Sequence, residues 1–295
     1  MSRRKKNRNW LKDRKITIDY LWIIAGLIAS IVLSSMATWR IAHYKSEIEK
    51  EEEIAVESAL TNHNYDFTHL KWNDHIVSYD DERYSSVFGI DVSAHQKNID
   101  WAKVKAAGVE FAFIRVGYRG YEYGYVNKDE YFNTNIEQAL ANGIKVGVYF
   151  YSQAISLEEA REEADFVLAQ IEPYRSQISL PVVFDMEDSD GTYISRISVL
   201  KQEEKTKIAV TWMHRIRNAG YEPMYYGSTD LLGGLFFLEF LQEFPCWLAE
   251  YATKPRYPYH FQIWQYSGSG SLDGIEGPVD LDVLFLPKGE ELWGF

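Results

Sequence analysis

Hydrophobic positions fall into two regimes along this chain. Residues 20–39 form one uncharged run from Tyr20 to Trp39, which as a helix rising 1.5 Å per residue reaches about 30 Å, the thickness of a bilayer's hydrocarbon core. From Val87 onward, short β-rich runs alternate with amphipathic helical patterns. The strand candidates are Val87–Val92, Glu110–Gly117, Lys145–Ser152, Leu180–Glu187, Glu222–Tyr226, Cys246–Tyr251, Phe261–Tyr266 and Val279–Phe285. Helical spacing predicts helices over Ile99–Ala107, Glu130–Asn142, Leu157–Ile171 and Leu200–Ala219. Alternating strand and helix units predict an α/β chain with a parallel sheet. Eight strands in about 210 residues predict an irregular, TIM-like (β/α) barrel, with weaker helices after the fifth strand. Gly108, Gly143 and Gly220 each follow a helical run, where a left-handed residue ends a helix.

Charge adds a direction to this pattern. The 295 residues carry a net charge of -12, and 46% are hydrophobic, so a folded core is expected and nucleic acid, whose phosphates such a chain repels, is not expected as a partner. The balance is uneven: residues 1–40 hold nine basic and two acidic residues, a net of +7, and the remainder holds -19. The positive charges before Tyr20 keep that end in the cytoplasm, and Trp22 and Trp39 suit the two membrane interfaces. The expected organisation is a basic cytoplasmic tail at 1–19, a single transmembrane signal-anchor at 20–39, an acidic extracellular stalk at 40–83 and a folded domain at 84–295. A cleaved signal peptide, cut near residue 37 after Ser35-Met-Ala37, is the rival reading. The stretch Lys45–Glu53 reads as a solvated, partly helical spacer. The lone Cys246 supplies neither a disulfide nor a CxxC pair and reads as a small buried residue. The seven histidines form no HxxxH or HExxH pattern, so no metal or cofactor is expected, and His95 reads as a packing or pocket-lining residue. The segment Ser267–Ser271 reads as a turn between strands.

Barrel active sites gather at the C-terminal ends of the strands. Asp91 closes the first run, Asp185 and Glu187 close the fourth, and Asp280 opens the last. Residues i and i+2 of a strand face one side, about 6.6 Å apart, so the carboxyls of Asp185 and Glu187 look into one pocket. Two such neighbours do not ionise together easily, and the proton retained can protonate a glycosidic oxygen. Tyr149, Tyr151, Tyr226, Tyr251, Trp264 and Tyr266 lie near strand ends, and such rings stack on the C–H faces of sugars. Each of them could instead fill the barrel.

These residues resemble the lysozyme-type muramidases of glycoside hydrolase family 25 from about Val87 to Phe285. The resemblance is carried in order by Gly89-Ile-Asp-Val-Ser93 with Gln96 and Ile99-Asp-Trp101; Gly108-Val-Glu-Phe-Ala-Phe-Ile-Arg115; Asp129 to Asn135; Gly143-Ile-Lys-Val-Gly-Val-Tyr-Phe150; Val183-Phe-Asp-Met-Glu187; Trp247-Leu-Ala-Glu-Tyr251; Ile263-Trp-Gln-Tyr266; and Gly277-Pro-Val-Asp-Leu281. It implies a barrel that cleaves the β-1,4 bond between N-acetylmuramic acid and N-acetylglucosamine in peptidoglycan. Glu187 would be the general acid, Asp185 its charge-tuning or orienting neighbour, and Asp91 and Asp280 further acids of the site. Gln96, Arg115 and the six aromatic residues would bind substrate. The chain departs from the family at Lys97, where Gly is usual, at Asp282, where Asn is frequent, and at Tyr151, where aromatic residues and histidine vary. The expected protein is a membrane-tethered muramidase acting on peptidoglycan strands outside the cell. The alternatives are a tethered glycan-binding or wall-assembly protein of little activity, and a secreted lysin.

Overall fold

The computed structural model describes residues 60–188 and 194–290. The expected tail and membrane segment lie outside them, and among the described residues no helix is long and apolar enough to cross a membrane. A compact unit begins at Leu60. It opens with a hairpin of β1 (Leu70–Asn73) and β2 (Ile76–Tyr79), turning through Asp74 at φ 56°. The strands that follow are β3 (Tyr84–Val92), β4 (Phe111–Arg119), β5 (Val126–Lys128), β6 (Lys145–Tyr151), β7 (Ile178–Asp185), β8 (Pro223–Ser228), β9 (Cys246–Ala249), β10 (Ile263–Gly270) and β11 (Val279–Pro287).

Eight of these strands close a barrel in the order β3-β11-β10-β9-β8-β7-β6-β4, sealed by the β3–β4 pairing, and β5 hangs on the outer edge of β4. All eight expected strands are present. The expected parallel sheet is corrected at one strand, because β11 runs antiparallel to both β10 and β3. The sequence explains the exception. Residues 271–278 between β10 and β11 hold no helix, and a parallel return needs a crossover of a dozen or more residues. Ser267–Gly270, expected as a turn, continue β10 through register shifts.

The outer helices form where expected: α1 (Trp101–Ala106), α2 (Phe132–Ala141), α3 (Leu157–Ile171) and α4 (Gln202–Asn218), with a short α5 (Thr229–Leu235). Ser156 caps α3 by accepting from Glu159 N–H. Ala160, Ala164, Val167 and Ile171 make its buried stripe. In α4, Glu203 and Glu204 lie in the first turn and Arg215 and Arg217 in the last, each sign placed where the helix dipole favours it. Gly108, Gly143 and Gly220 take φ of 96°, 71° and 87° behind their helices, as expected.

Inside the barrel, alternate residues meet. Phe111 and Phe113 fill its floor, and Phe113 stacks on Trp247 with ring centroids 4.7 Å apart. Two glycines make room for them, since a Cβ on Gly89 would lie 2.3 Å from the Phe111 ring and one on Gly147 2.3 Å from that of Phe113. This plug closes one end of the barrel and leaves the other open.

The domain boundary expected at Tyr84 is also corrected. No crossover helix covers the antiparallel side of the barrel, and residues 60–83, expected as part of a solvated stalk, cover it instead. Tyr65 stacks on Phe285 at 4.3 Å, and its hydroxyl donates to Phe261 O. Trp72 meets Trp264 and Tyr266 edge-on at 6.4 and 5.6 Å. Val77 and Tyr79 are buried. The strand-end aromatics on this side belong to a second core.

Lys97 is exposed and holds φ 55°, ψ -126°, a left-handed setting that disfavours any residue with a Cβ. Lys97→Gly is therefore expected to stabilise the fold by about 1 kcal/mol, with strain relief exceeding the entropy that glycine adds to the unfolded chain. Denaturant midpoints of the two proteins check this; an unchanged or lower midpoint in the variant contradicts it.

Candidate active site

Pairing of β3 with β11 sets Asp91 directly opposite Asp280, both inward. The β6, β7 and β8 registers set Asp185 between Tyr151 and Tyr226. Glu187 lies two residues past the end of β7 and enters the same pocket, of about 300 Å³. Ten of the twelve expected site residues line it: Asp91, Gln96, Arg115, Tyr149, Tyr151, Asp185, Glu187, Tyr226, Tyr251 and Asp280.

Trp264 and Tyr266 do not, and their expected substrate-binding role is corrected. Alternation along β10 turns both outward beneath Trp72, and Trp264 Nε1 donates to Glu250 O at 2.7 Å. The residue between them, Gln265, points inward and was missed. Its Nε2 donates to Asp91 Oδ2 at 2.7 Å, and its Oε1 accepts from the hydroxyls of Tyr226 and Tyr251, each at 2.9 Å. A glutamine flanked by two aromatics on a buried strand was the available signal, since a polar side chain there needs partners that the interior must supply. Trp247, Ser93 and His95 complete the lining.

Other contacts fix the walls. Asp129 accepts from Arg115 Nε at 2.8 Å and from Ala94 N–H at 2.9 Å, tying the strand-end loops of β3 and β4 together. Gln96 accepts from Ser93 N–H and donates to Pro278 O. Gln153, fully buried, donates to Glu187 O at 2.8 Å and accepts from Ser195 Oγ and Arg196 N–H, both at 3.0 Å. Gln153 thus holds the backbone on both sides of the segment after Glu187, and the sequence carried no sign of it.

Crowded, desolvated carboxyls keep protons. Burial, then the neighbouring Glu187, push Asp185 well above the ordinary carboxylate range, and burial pushes Glu187 up to about 6. Asp185 Oδ1 is buried and meets no donor among the described residues, so a proton shared with Glu187 removes an uncompensated charge. Asp185 sits deep in the barrel, whereas Glu187 is half-buried at the mouth. Burial also raises Asp280, to about 6.

A second carboxyl pair lies beneath the first. Asp282 is fully buried, its Oδ1 accepts from Trp247 Nε1 at 2.9 Å, and burial followed by Asp280 raises its pKa strongly. Asp91, beside Asp282, is raised by burial and by Asp280 and Asp282. A folded chain with raised carboxyl pKa values binds protons that the unfolded chain has already released, so stability falls as pH rises through those values. His63 and His260, whose pKa values partial desolvation lowers, oppose this only below their ordinary 6.5. The melting temperature is therefore expected to fall from pH 6.5 to 8. Asp282→Asn, which keeps an oxygen for Trp247 and gives Asp91 a donor, should be more stable at pH 8 by roughly 1–2 kcal/mol. Thermal melts of both proteins at the two pH values test this, and an equal pH slope in the variant contradicts it.

An acid-lined, phenol-walled pocket at the open end of a β/α barrel is the working part of a glycoside hydrolase. Residues 90–275 match the family described as glycosyl hydrolases family 25, and the chain belongs to that family. It is 32% identical over 224 residues to the YegX protein of Escherichia coli, covering 71% of this chain and 73% of that one. It is 27% identical over 214 residues to lysozyme M1 of Streptomyces globisporus, covering 66% and 67% of the two chains. The modular autolysin LytC of Streptococcus pneumoniae superposes with a TM-score of 0.60 at 25% identity, over 72% of this chain and 51% of that one. The present chain thus matches about half of that autolysin's length. LytC has also been solved in complex with a synthetic peptidoglycan ligand.

Proposed function

We propose that the protein is a muramidase that cleaves the β-1,4 bond between N-acetylmuramic acid and N-acetylglucosamine in peptidoglycan. The observation that carries this reading is the Asp185/Glu187 pair, two adjoining carboxyls that burial raises in a pocket walled by tyrosines, with Glu187 at its mouth. The lysozyme and autolysin relatives support peptidoglycan as the substrate class.

In this mechanism Glu187, the member of the pair nearer solvent, gives its proton to the glycosidic oxygen as the bond to the sugar breaks. Asp185 behind it tunes that proton and takes part of the charge left on Glu187. Water finally adds its oxygen to the anomeric carbon and returns a proton to the carboxyl pair. Asp280, which faces Asp91 across β3 and β11 and is ionised above about 6, places negative charge beside the positive charge that develops on the sugar ring. Gln265 orients Asp91 and joins it to Tyr226 and Tyr251. The tyrosines supply faces for the sugars, and Arg115, held by Asp129, supplies a cation for a carboxylate or acyl oxygen of the substrate.

The apolar run at 20–39 and the basic residues before it support a single-pass anchor that holds this domain outside the cell, against the growing or resident wall. Two experiments separate the parts of this reading. Release of soluble fragments from purified walls tests the hydrolase, and no release by folded protein that binds walls would favour the tethered binding protein. Fractionation of cells tests the anchor: the full-length chain should remain with membranes after high-salt and alkaline washing, whereas a shortened chain in the medium would mean cleavage near residue 37.

A further inference from the structure

Beyond the pocket rim, the β4–β5 hairpin carries a row of tyrosines that the mechanism does not use. Tyr123 and Tyr125 are each 71% exposed and stack on one another, with centroids 6.0 Å apart and planes at 27°. Tyr118 is partly exposed on the same hairpin. Two bare phenol rings in solvent are unusual unless something covers them. The hairpin springs from the C-terminal end of β4, the barrel end that opens into the pocket. Tyr121 reaches back from it to hydrogen-bond the hydroxyl of Tyr151, itself in the pocket wall. The exposed rings therefore lie on a hairpin that is tied to the pocket wall.

The hairpin is also held rigid. Arg119 Nη1 donates to Gly124 O at 2.6 Å, while its Nε and Nη2 bond Glu163 and Glu162 of α3. The guanidinium of Arg196 lies under Gly124, where a Cβ would meet it at 2.7 Å, and φ 68° favours glycine at this tip. Arg196 is bonded in turn to both oxygens of Glu159 and to Gln153 O. Gln153 also grips the backbone at Glu187, so the tyrosine hairpin and the segment bearing the proposed acid rest on one set of contacts. A surface ordered in advance binds without a large entropy loss.

We infer that Tyr123 and Tyr125 form an outlying sugar-binding platform, which takes neutral N-acetylhexosamine units of the glycan strand whose scissile bond lies in the pocket. This rests on the reading of the pocket as a glycan site. The rings suit the apolar faces of such sugars, their hydroxyls suit sugar hydroxyls, and the hairpin's tie to Tyr151 aligns the platform with a strand already in the pocket.

The test uses the full-length chain carrying Glu187→Gln, so that ligand is bound and not consumed. Two ligands are titrated: peptide-stripped peptidoglycan strands of ten or more sugars, and a tetrasaccharide of the same repeat. Long strands should bind more tightly than the tetrasaccharide, and Tyr123→Ala with Tyr125→Ala should remove about tenfold of that advantage. Tyr123→Phe with Tyr125→Phe, which keeps the rings, should retain most of it. An advantage that survives the alanine pair, or that appears only when stem peptides are present, overturns the platform. Tetrasaccharide binding reports on the pocket separately. If strands bind through the two tyrosines but the tetrasaccharide does not, the pocket reading fails while the platform stands, and if neither ligand binds, both fail.

Discussion

Glu187→Gln is expected to lower kcat on peptidoglycan by about a thousandfold or more, with little change in KM. Glutamine matches the shape of the acid and can still hydrogen-bond Asp185, but it carries no proton to give. The fold should survive, because the change removes a charge from a pocket where burial already pushes Glu187 up to about 6 and its neighbour Asp185 well above the ordinary carboxylate range. An equal or higher melting temperature with activity lost is the signature of a group kept for chemistry at some expense to stability. Steady-state kinetics on soluble glycan strands, beside a thermal melt, gives both numbers. A variant with near-normal kcat would remove Glu187 from the chemistry, and one that loses activity only by unfolding would leave the proposed role without support.

Arg119→Ala is expected to destabilise the fold by about 3–5 kcal/mol, the usual result of stripping one partner from a buried ion pair. Arg119 is buried, and its guanidinium bonds Glu163 at 2.6 Å, Glu162 at 2.8 Å, Gly124 O at 2.6 Å and Glu159 O at 3.1 Å. Without it, the fully buried Glu163 keeps the Ser152 hydroxyl, at 2.7 Å, as a neutral donor. Burial outweighs Arg119 even in the intact protein and pushes Glu163 up to about 7. A large part of the loss should therefore be recovered by adding Glu163→Gln, which cannot be left as a buried charge. Urea unfolding at pH 8 of the single and double variants measures this. A single variant within 1 kcal/mol of the parent, or a double variant no better than the single, contradicts the account.

The barrel was largely legible because hydrophobic period reports element type directly. Each run such as Lys145–Ser152 or Leu157–Ile171 became the strand or helix that its spacing implied. Strand ends then gathered Asp91, Asp185, Glu187 and Asp280 into one pocket. What the period could not settle was which face of β10 looks inward, because both faces are buried. Trp264 and Tyr266 lie beneath the hairpin and Gln265 in the pocket, and alternation along Ile-Trp-Gln-Tyr does not say which face looks inward until that hairpin is known. The covering role of residues 60–83 was hidden for a related reason. Tyr65, Trp72, Val77 and Tyr79 are scattered among polar residues, and only the helix-free side of the barrel gives them a surface to bury. Gln153 was out of reach because its partners, Glu187 O, Ser195 and Arg196, lie 34 to 43 positions away in the chain.

The most direct measurement of the central claim is the identity of the sugar at the new reducing end after purified peptidoglycan is digested, read by mass spectrometry of the reduced fragments. Cleavage by this pocket predicts reducing N-acetylmuramic acid, released by the parent chain and absent with Glu187→Gln. Reducing N-acetylglucosamine would contradict the assigned bond, and fragments produced equally by the variant would contradict the assigned acid.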